Sequence, residues 1–298
     1  MSLTIENNIL MKNGKPFFYL ADTCWSAFTN IKDNDWDYYL DYRKSQGFNT
    51  LQINILPQWD ASATDLCYEP FEVIDGKYNY KKLNLSYFEH ADKMCARAKE
   101  KGFELALVIM WCNFVPDTWA SQFYSKGIMP IDCIDNYINI IHETFTKYEP
   151  LYIISGDTDF NTEQCIEYYV KCAKQIKELA PNCLYTTHIK GRYTYIPDNL
   201  YSYLDLCFYQ SGHNAQNLGM PYLLAEEMAD KYKGKPVINS EPCYEDMGYS
   251  RQMYGRWSKE DIIRAAWMSL LSGASAGITY GAAGIYSWHT TNKGFEAS

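Results

Sequence analysis

Leu85–Trp111 reads LSYFEHADKMCARAKEKGFELALVIMW. From Leu85 to Lys101 the apolar side chains recur at helical spacing; Gly102 then supplies a residue at ease in the left-handed conformation that ends helices, and Phe103–Trp111 follows as a continuous apolar, β-prone run. A helix that stops on glycine and turns directly into a buried strand is the repeating unit of a parallel α/β sheet.

The same alternation extends in both directions. Upstream lie the runs Phe17–Trp25 (FFYLADTCW) and Phe48–Leu56, separated by a helix near Asp35–Gln46 that ends at Gly47. Downstream, a helix near Ile131–Lys147 leads to Leu151–Gly156 (LYIISG), and a helix near Thr162–Leu179 leads to Leu184–Ile189. Leu204–Gln210 comes next, then a helix near Tyr222–Tyr232, the run Pro236–Ser240, a helix near Lys259–Leu271 capped by Ser258 with Asp261, and Gly277–Trp288. Eight such runs with no glycine-rich phosphate loop predict an α/β fold of the (β/α)₈ (TIM) barrel type rather than a doubly wound sheet. Only ten residues follow Trp288, too few for an eighth covering helix. Leu3–Lys15, with Asn13-Gly14, predicts a small hairpin outside the barrel, so residues 1–16 form an extension and 17–298 one catalytic barrel.

Composition narrows the class. A net charge of −9 and a pI near 5.1, with lysines scattered, disfavour a surface built to neutralise phosphates, so no nucleic-acid partner is expected. No apolar run approaches the ~20 residues of a membrane span, and no membrane partner is expected either. Aromatics reach 16%, with 27 Tyr and 8 Trp, which suits both sugar binding and barrel packing. Ten cysteines without CxxC pairs or a Cys/His zinc pattern read as reduced core residues. With no apolar leader in MSLTIENNILMKNG, this points to the cytoplasm, secretion being the alternative if a leader has been removed.

In a parallel barrel the chemistry sits at the C-terminal ends of the strands, so polar and aromatic residues that close apolar runs are the candidates. These are Asp22, Asp157, His188, Gln210, His213 and Glu241, together with Trp25, Trp111, Tyr209, Tyr244, Tyr280 and Trp288 as walls of a sugar pocket. Asp157 and Glu241 end the fourth and seventh runs, across the mouth from one another, and two carboxylates are what glycosidic cleavage requires. Asp159 is a rival better suited to capping the next helix, whereas Glu245 is placed to orient the nucleophile or bind a hydroxyl. The first run has no HxH pair and no GxSxG elbow occurs, so neither a metal nor a cofactor is expected.

Taken in order, GKPFFYLADTCW, GFNTLQINIL, IISGD, QSGH, KPVINSEPCYED and RAAWMSLLSGASAGITYGAAGIYSW resemble the apiosidase-like glycoside hydrolases over nearly the whole chain. The resemblance implies a retaining barrel in which Asp157 matches the acid/base and Glu241 the nucleophile. Its substrate would be a plant cell-wall polysaccharide, with terminal apiose on pectin as the specific case. Related retaining barrels place Asn before the acid/base; here it is Gly156, so the hydrogen bond to a sugar 2-hydroxyl has to come from elsewhere, with Gln210 and His188 the candidates. Family members also commonly continue into an eighth helix and a small β-domain. Two rival readings are a non-catalytic carbohydrate-binding barrel and a metal-dependent barrel hydrolase. A carbohydrate is the expected partner, and the oligomeric state is left open.

Overall fold

The structure, a computed structural model, describes residues 3–59 and 68–289. Its centre is one parallel sheet of eight strands: β1 (Tyr19–Thr23), β2 (Thr50–Asn54), β3 (Glu104–Trp111), β4 (Leu151–Gly156), β5 (Leu184–Thr186), β6 (Cys207–Tyr209), β7 (Val237–Asn239) and β8 (Gly277–Tyr280). The hydrogen-bonded order β5-β4-β3-β2-β1-β8-β7-β6 is that of a barrel, with β1 paired to β8 by the register of Asp22 against Tyr280. Between β5 and β6 single hydrogen bonds close the wall: Asp205 N–H donates to the Tyr185 carbonyl (2.8 Å) and Arg192 N–H to that of Gln210 (2.9 Å).

Helices cover the outside: α1 (Asp33–Ser45), α2 (Leu85–Glu100), α3 (Ile134–Phe145), α4 (Glu163–Leu179), the single turn α5 (Asp198–Tyr201), α6 (Met220–Lys231) and α7 (Lys259–Leu271). Their ends follow local chemistry. Gly102 takes φ +82° after α2, and Ser258 with Asp261 forms a reciprocal capping box on α7. Asp159 does not cap α4 as expected. Thr162 accepts from Cys165 N–H instead, and the Asp159 carboxylate pairs with Lys190 Nζ at 2.7 Å.

Three further departures are local. The N-terminal extension is a three-stranded antiparallel meander (Leu3–Glu6, Ile9–Lys12, Lys15–Pro16), because Asn7-Asn8 as well as Asn13-Gly14 adopts positive φ and makes a second turn. A two-stranded ribbon, Phe71–Ile74 with Lys77–Leu83, turns at Asp75-Gly76 between β2 and α2. The eighth run stops as a strand at Tyr280 instead of reaching Trp288, for a Cβ at Gly281 would lie 2.3 Å from the Tyr244 ring.

Strand alternation decides what the barrel interior contains. Tyr19, Gln52 and Thr279 point inward: the Tyr19 hydroxyl donates to Gln52 Oε1 (2.9 Å), and Gln52 Nε2 reaches across to the Ser240 carbonyl (3.0 Å). Asp22, Tyr209, Asn239 and Tyr280 alternate with them and point outward, toward the helices. The nine cysteines among the described residues are free and buried. None of the described helices is long and apolar enough to cross a membrane.

Candidate active site

At the C-terminal mouth, Trp25, Trp111 and His188 pack as a ring cluster, with centroids 5.3–5.5 Å apart. The Trp25 indole donates to the Tyr244 hydroxyl at 2.9 Å, and the Tyr244 ring meets His213 edge to face. This aromatic floor carries Glu241, on the segment that leaves β7.

Glu241 is buried and clamped by two imidazoles. His213 Nε2 lies 2.8 Å from its Oε1 and His188 Nε2 lies 3.2 Å from its Oε2. Burial alone would raise its pKa, but the hydrogen bonds and charge of His188 and His213 outweigh that and hold it at about 2. Glu241 is therefore a carboxylate at any physiological pH. Behind it, His188 Nδ1 contacts Ser240 Oγ at 2.9 Å, which fixes the ring plane.

Asp157 follows β4 with φ +52°, a left-handed conformation that Asp tolerates better than most residues. The kink falls between the pairing of Trp111 with Gly156 and that of Thr158 with Ile189. Its carbonyl is held by the Trp119 indole N–H (2.8 Å), and its Oδ1 accepts from Gln210 Nε2 (2.7 Å). The same Gln210 nitrogen is 3.3 Å from His188 Nε2. Three successive contacts thus join Asp157 to Glu241 through Gln210 and His188.

Asp157 lines a cleft of about 380 Å³ together with Trp119, Lys190, Arg192, Gln210, His213 and Arg251, among others. Arg192 donates through Nη2 to the Asn214 carbonyl, while its Nε is buried with no partner among the described residues. Burial and the neighbouring Arg251 guanidinium both pull its pKa below the usual arginine value. Among the described residues neither arginine has a carboxylate partner.

Gly156 has a steric cause. A Cβ there would lie 2.0 Å from Cε3 of Trp111, so the indole occupies the space that a side chain at 156 would need. The Trp111 Nε1 is buried and has no hydrogen-bond partner among the described residues, and the same holds for both amide atoms of Asn54 at the end of β2. Unpaired buried polar groups of this kind are costly in a folded chain.

The structure therefore brings Asp157, Glu241, His188, Gln210, His213, Trp25, Trp111 and Tyr244 together. It places five other expected site residues outside the barrel wall. Asp22 accepts from Arg43 Nε (2.5 Å) and the Tyr39 hydroxyl (2.7 Å) of α1; the Tyr209 hydroxyl donates to Pro221 of α6. Tyr280 lies under the Arg43 guanidinium and donates to Glu245 at 2.5 Å, and Trp288 meets Tyr39 edge to face. In each case the alternation of β1, β6 or β8 turns the side chain to the helix layer, or a contact made there holds it. Sequence reasoning missed Trp119, Lys190, Arg192 and Arg251, which sit on loops without periodicity. It also missed Asn54, whose alternation with Gln52 was a polar, inward-facing period of two.

The chain matches the apiosidase-like catalytic domain family over residues 5–297. It is similar to the crystal structure of a glycoside hydrolase family 5 protein from Bacteroides vulgatus ATCC 8482, with TM-score 0.82 and 25% identity over 100% of this chain and 65% of that one. A second solved structure, a glycoside hydrolase, gives TM-score 0.80 and 25% identity over 99% of this chain and 69% of its own. The endo-1,4-beta-D-mannanase from Thermotoga petrophila RKU-1, at 16% identity and TM-score 0.58 over 89% and 88% of the two chains, shares the fold. No curated protein sequence matches. The chain spans about 65% of the length of the first of these structures. With the family match covering all but a few residues at each end, the chain belongs to the apiosidase-like catalytic domain family, and its (β/α)₈ barrel is similar to those of glycoside hydrolases.

Proposed function

We propose that this barrel is a retaining glycosidase acting on plant cell-wall polysaccharide, with Glu241 as nucleophile and Asp157 as acid/base. The observation that carries the reading is the clamp on Glu241: a buried carboxylate whose pKa is held at about 2 by two imidazoles, one of which, His213, lines the same cleft as Asp157. A structural carboxylate gains nothing from such a site; a nucleophile must be charged and desolvated at once.

In the first step a Glu241 oxygen bonds to the anomeric carbon, the bond to the leaving oxygen breaks, and the Asp157 proton passes to that oxygen. In the second, water adds to the same carbon as Asp157 takes its proton, and Glu241 is released as a carboxylate. Trp111 Nε1 and the Asn54 amide supply unpaired groups for sugar hydroxyls, the task that a side chain at Gly156 does not perform.

Arg192 and Arg251 favour an acidic polymer, and pectin fits: two guanidinium groups without a carboxylate partner among the described residues line the cleft of a chain whose net charge is −9. Terminal apiose on pectin is the substrate this reading selects. Glu241→Gln removes the charged nucleophile while keeping its shape, and sugar release from pectic oligosaccharides should fall by about a thousandfold or more. Activity within a few-fold of the unaltered protein would exclude Glu241 from the reaction. The first-formed anomer, followed by NMR, should keep the configuration of the substrate.

A further inference from the structure

We infer that a second aromatic site, a ledge made by Trp59, Trp119 and Phe123, binds a pyranose ring of the leaving-group chain. The inference rests on the glycosidase reading and adds to it a distinct binding site.

The three rings lie at the rim of the mouth, on segments following β2 and β3. Trp59 and Trp119 meet edge to face with centroids 5.2 Å apart, and Phe123 lies 6.4 Å from Trp59 at 43°. They are not core residues: Trp59 is 39% and Phe123 65% exposed. Nor are they loosely held. The Thr118 hydroxyl bonds the carbonyls of Cys112 and Val115, the Ser121 hydroxyl that of Thr118, and the Gln122 amide that of Trp119. These local hydrogen bonds fix a short irregular loop that leaves Phe123 exposed to solvent and Trp119 only partly buried.

Trp119 ties the ledge to the chemistry. Its indole N–H holds the Asp157 carbonyl, and its ring lines the cleft that Asp157 faces. The acid/base protonates the leaving oxygen, so the side of the cleft anchored to Asp157 is the leaving-group side. An exposed aromatic face packs against the C–H face of a pyranose, and this contact tolerates a carboxylate elsewhere on the ring. The occupant is therefore a sugar one or more residues beyond the scissile bond, and the enzyme reads a chain rather than a lone terminal glycoside.

The test uses the double variant Trp59→Ala, Phe123→Ala, which leaves Trp119 and both carboxylates in place; unchanged thermal unfolding confirms its fold. Rates are compared on pectin-derived oligosaccharides and on the 4-nitrophenyl glycoside of the sugar they release. The ledge predicts a loss of about tenfold or more in kcat/KM on the oligosaccharides, carried by KM, with the aryl glycoside changed by less than about twofold. Equal losses on both substrates, or none on the oligosaccharides, overturn it. If the unaltered protein cleaves neither substrate, the glycosidase reading fails, and the ledge is judged by binding alone. Quenching of tryptophan fluorescence by the oligosaccharides then has to weaken in the Phe123→Ala variant, and undiminished affinity there overturns the site.

Discussion

Asp22 and Glu241 carry the same sequence signal, an acid closing an apolar strand, and the fold puts them to opposite uses. Glu241 is held by His188 and His213, and His213 lines the cleft that Asp157 also lines. Asp22 faces away from it, sealed at 0% exposure between β1 and α1 by Arg43 and Tyr39. The carboxylate proposed to do chemistry is held by two imidazoles, one of which reaches the cleft. A charge that fastens a helix to a strand is enclosed.

The sharpest way to break this contrast is to neutralise both acids in turn. Asp22→Ala strands the Arg43 guanidinium in the helix layer, and removing one partner of a buried pair costs about 3–5 kcal/mol of stability. Chemical denaturation should show that loss, while kcat of the protein that remains folded stays close to normal. Glu241→Gln should do the reverse. If Asp22→Ala lowers kcat as severely as Glu241→Gln does, the assignment of Asp22 to the helix layer fails.

These two fates were not legible beforehand, and the reason is physical. Strands of a parallel barrel are covered on both faces, so FFYLADTCW and LCFYQ are apolar at odd and even positions alike. With the alternation erased, nothing in those runs tells an inward Gln210 from an outward Tyr209 or Asp22. The barrel itself was legible, because helical spacing, glycine stops and apolar runs recur with enough regularity to count. The ribbon turning at Asp75-Gly76 was not read from the sequence, although Asp-Gly carries the same turn chemistry as Asn13-Gly14. The loops that supply Trp119, Arg192 and Arg251 have no such signature: their positions depend on left-handed backbone at Asp157, Arg192 and Arg251 and on contacts made only in the folded chain.

A second test sharpens what the imidazoles do. The Glu241 pKa is lowered, so its charge contributes stability above the unfolded carboxylate value of about 4.5, and that contribution is lost as pH falls through about 2. Activity should accordingly keep an ionised nucleophile well into acid. His213→Ala removes one of the two groups that oppose burial, and the Glu241 pKa must then rise. The acid limb of the kcat/KM profile should move up by about one pH unit or more. A drop in rate with an unmoved limb would show that His213 contacts substrate without setting the charge of Glu241.

The smallest effect expected is at Arg251. Its side chain is exposed at the rim of the cleft, whereas Arg192 is half-buried and also holds the Asn214 carbonyl. Replacing Arg192 would disturb that loop; replacing Arg251 removes charge alone and relieves the repulsion that lowers Arg192. An exposed charge acts on an acidic ligand through solvent, where salt screens it within about 10 Å. Arg251→Ala should therefore raise KM for acidic pectic oligosaccharides about two- to fivefold and leave kcat unchanged. The difference from the unaltered protein should shrink as ionic strength rises. An equal KM increase on a neutral glycan would show that Arg251 acts by shape, and would withdraw the electrostatic support for an acidic substrate while leaving the carboxylate pair untouched.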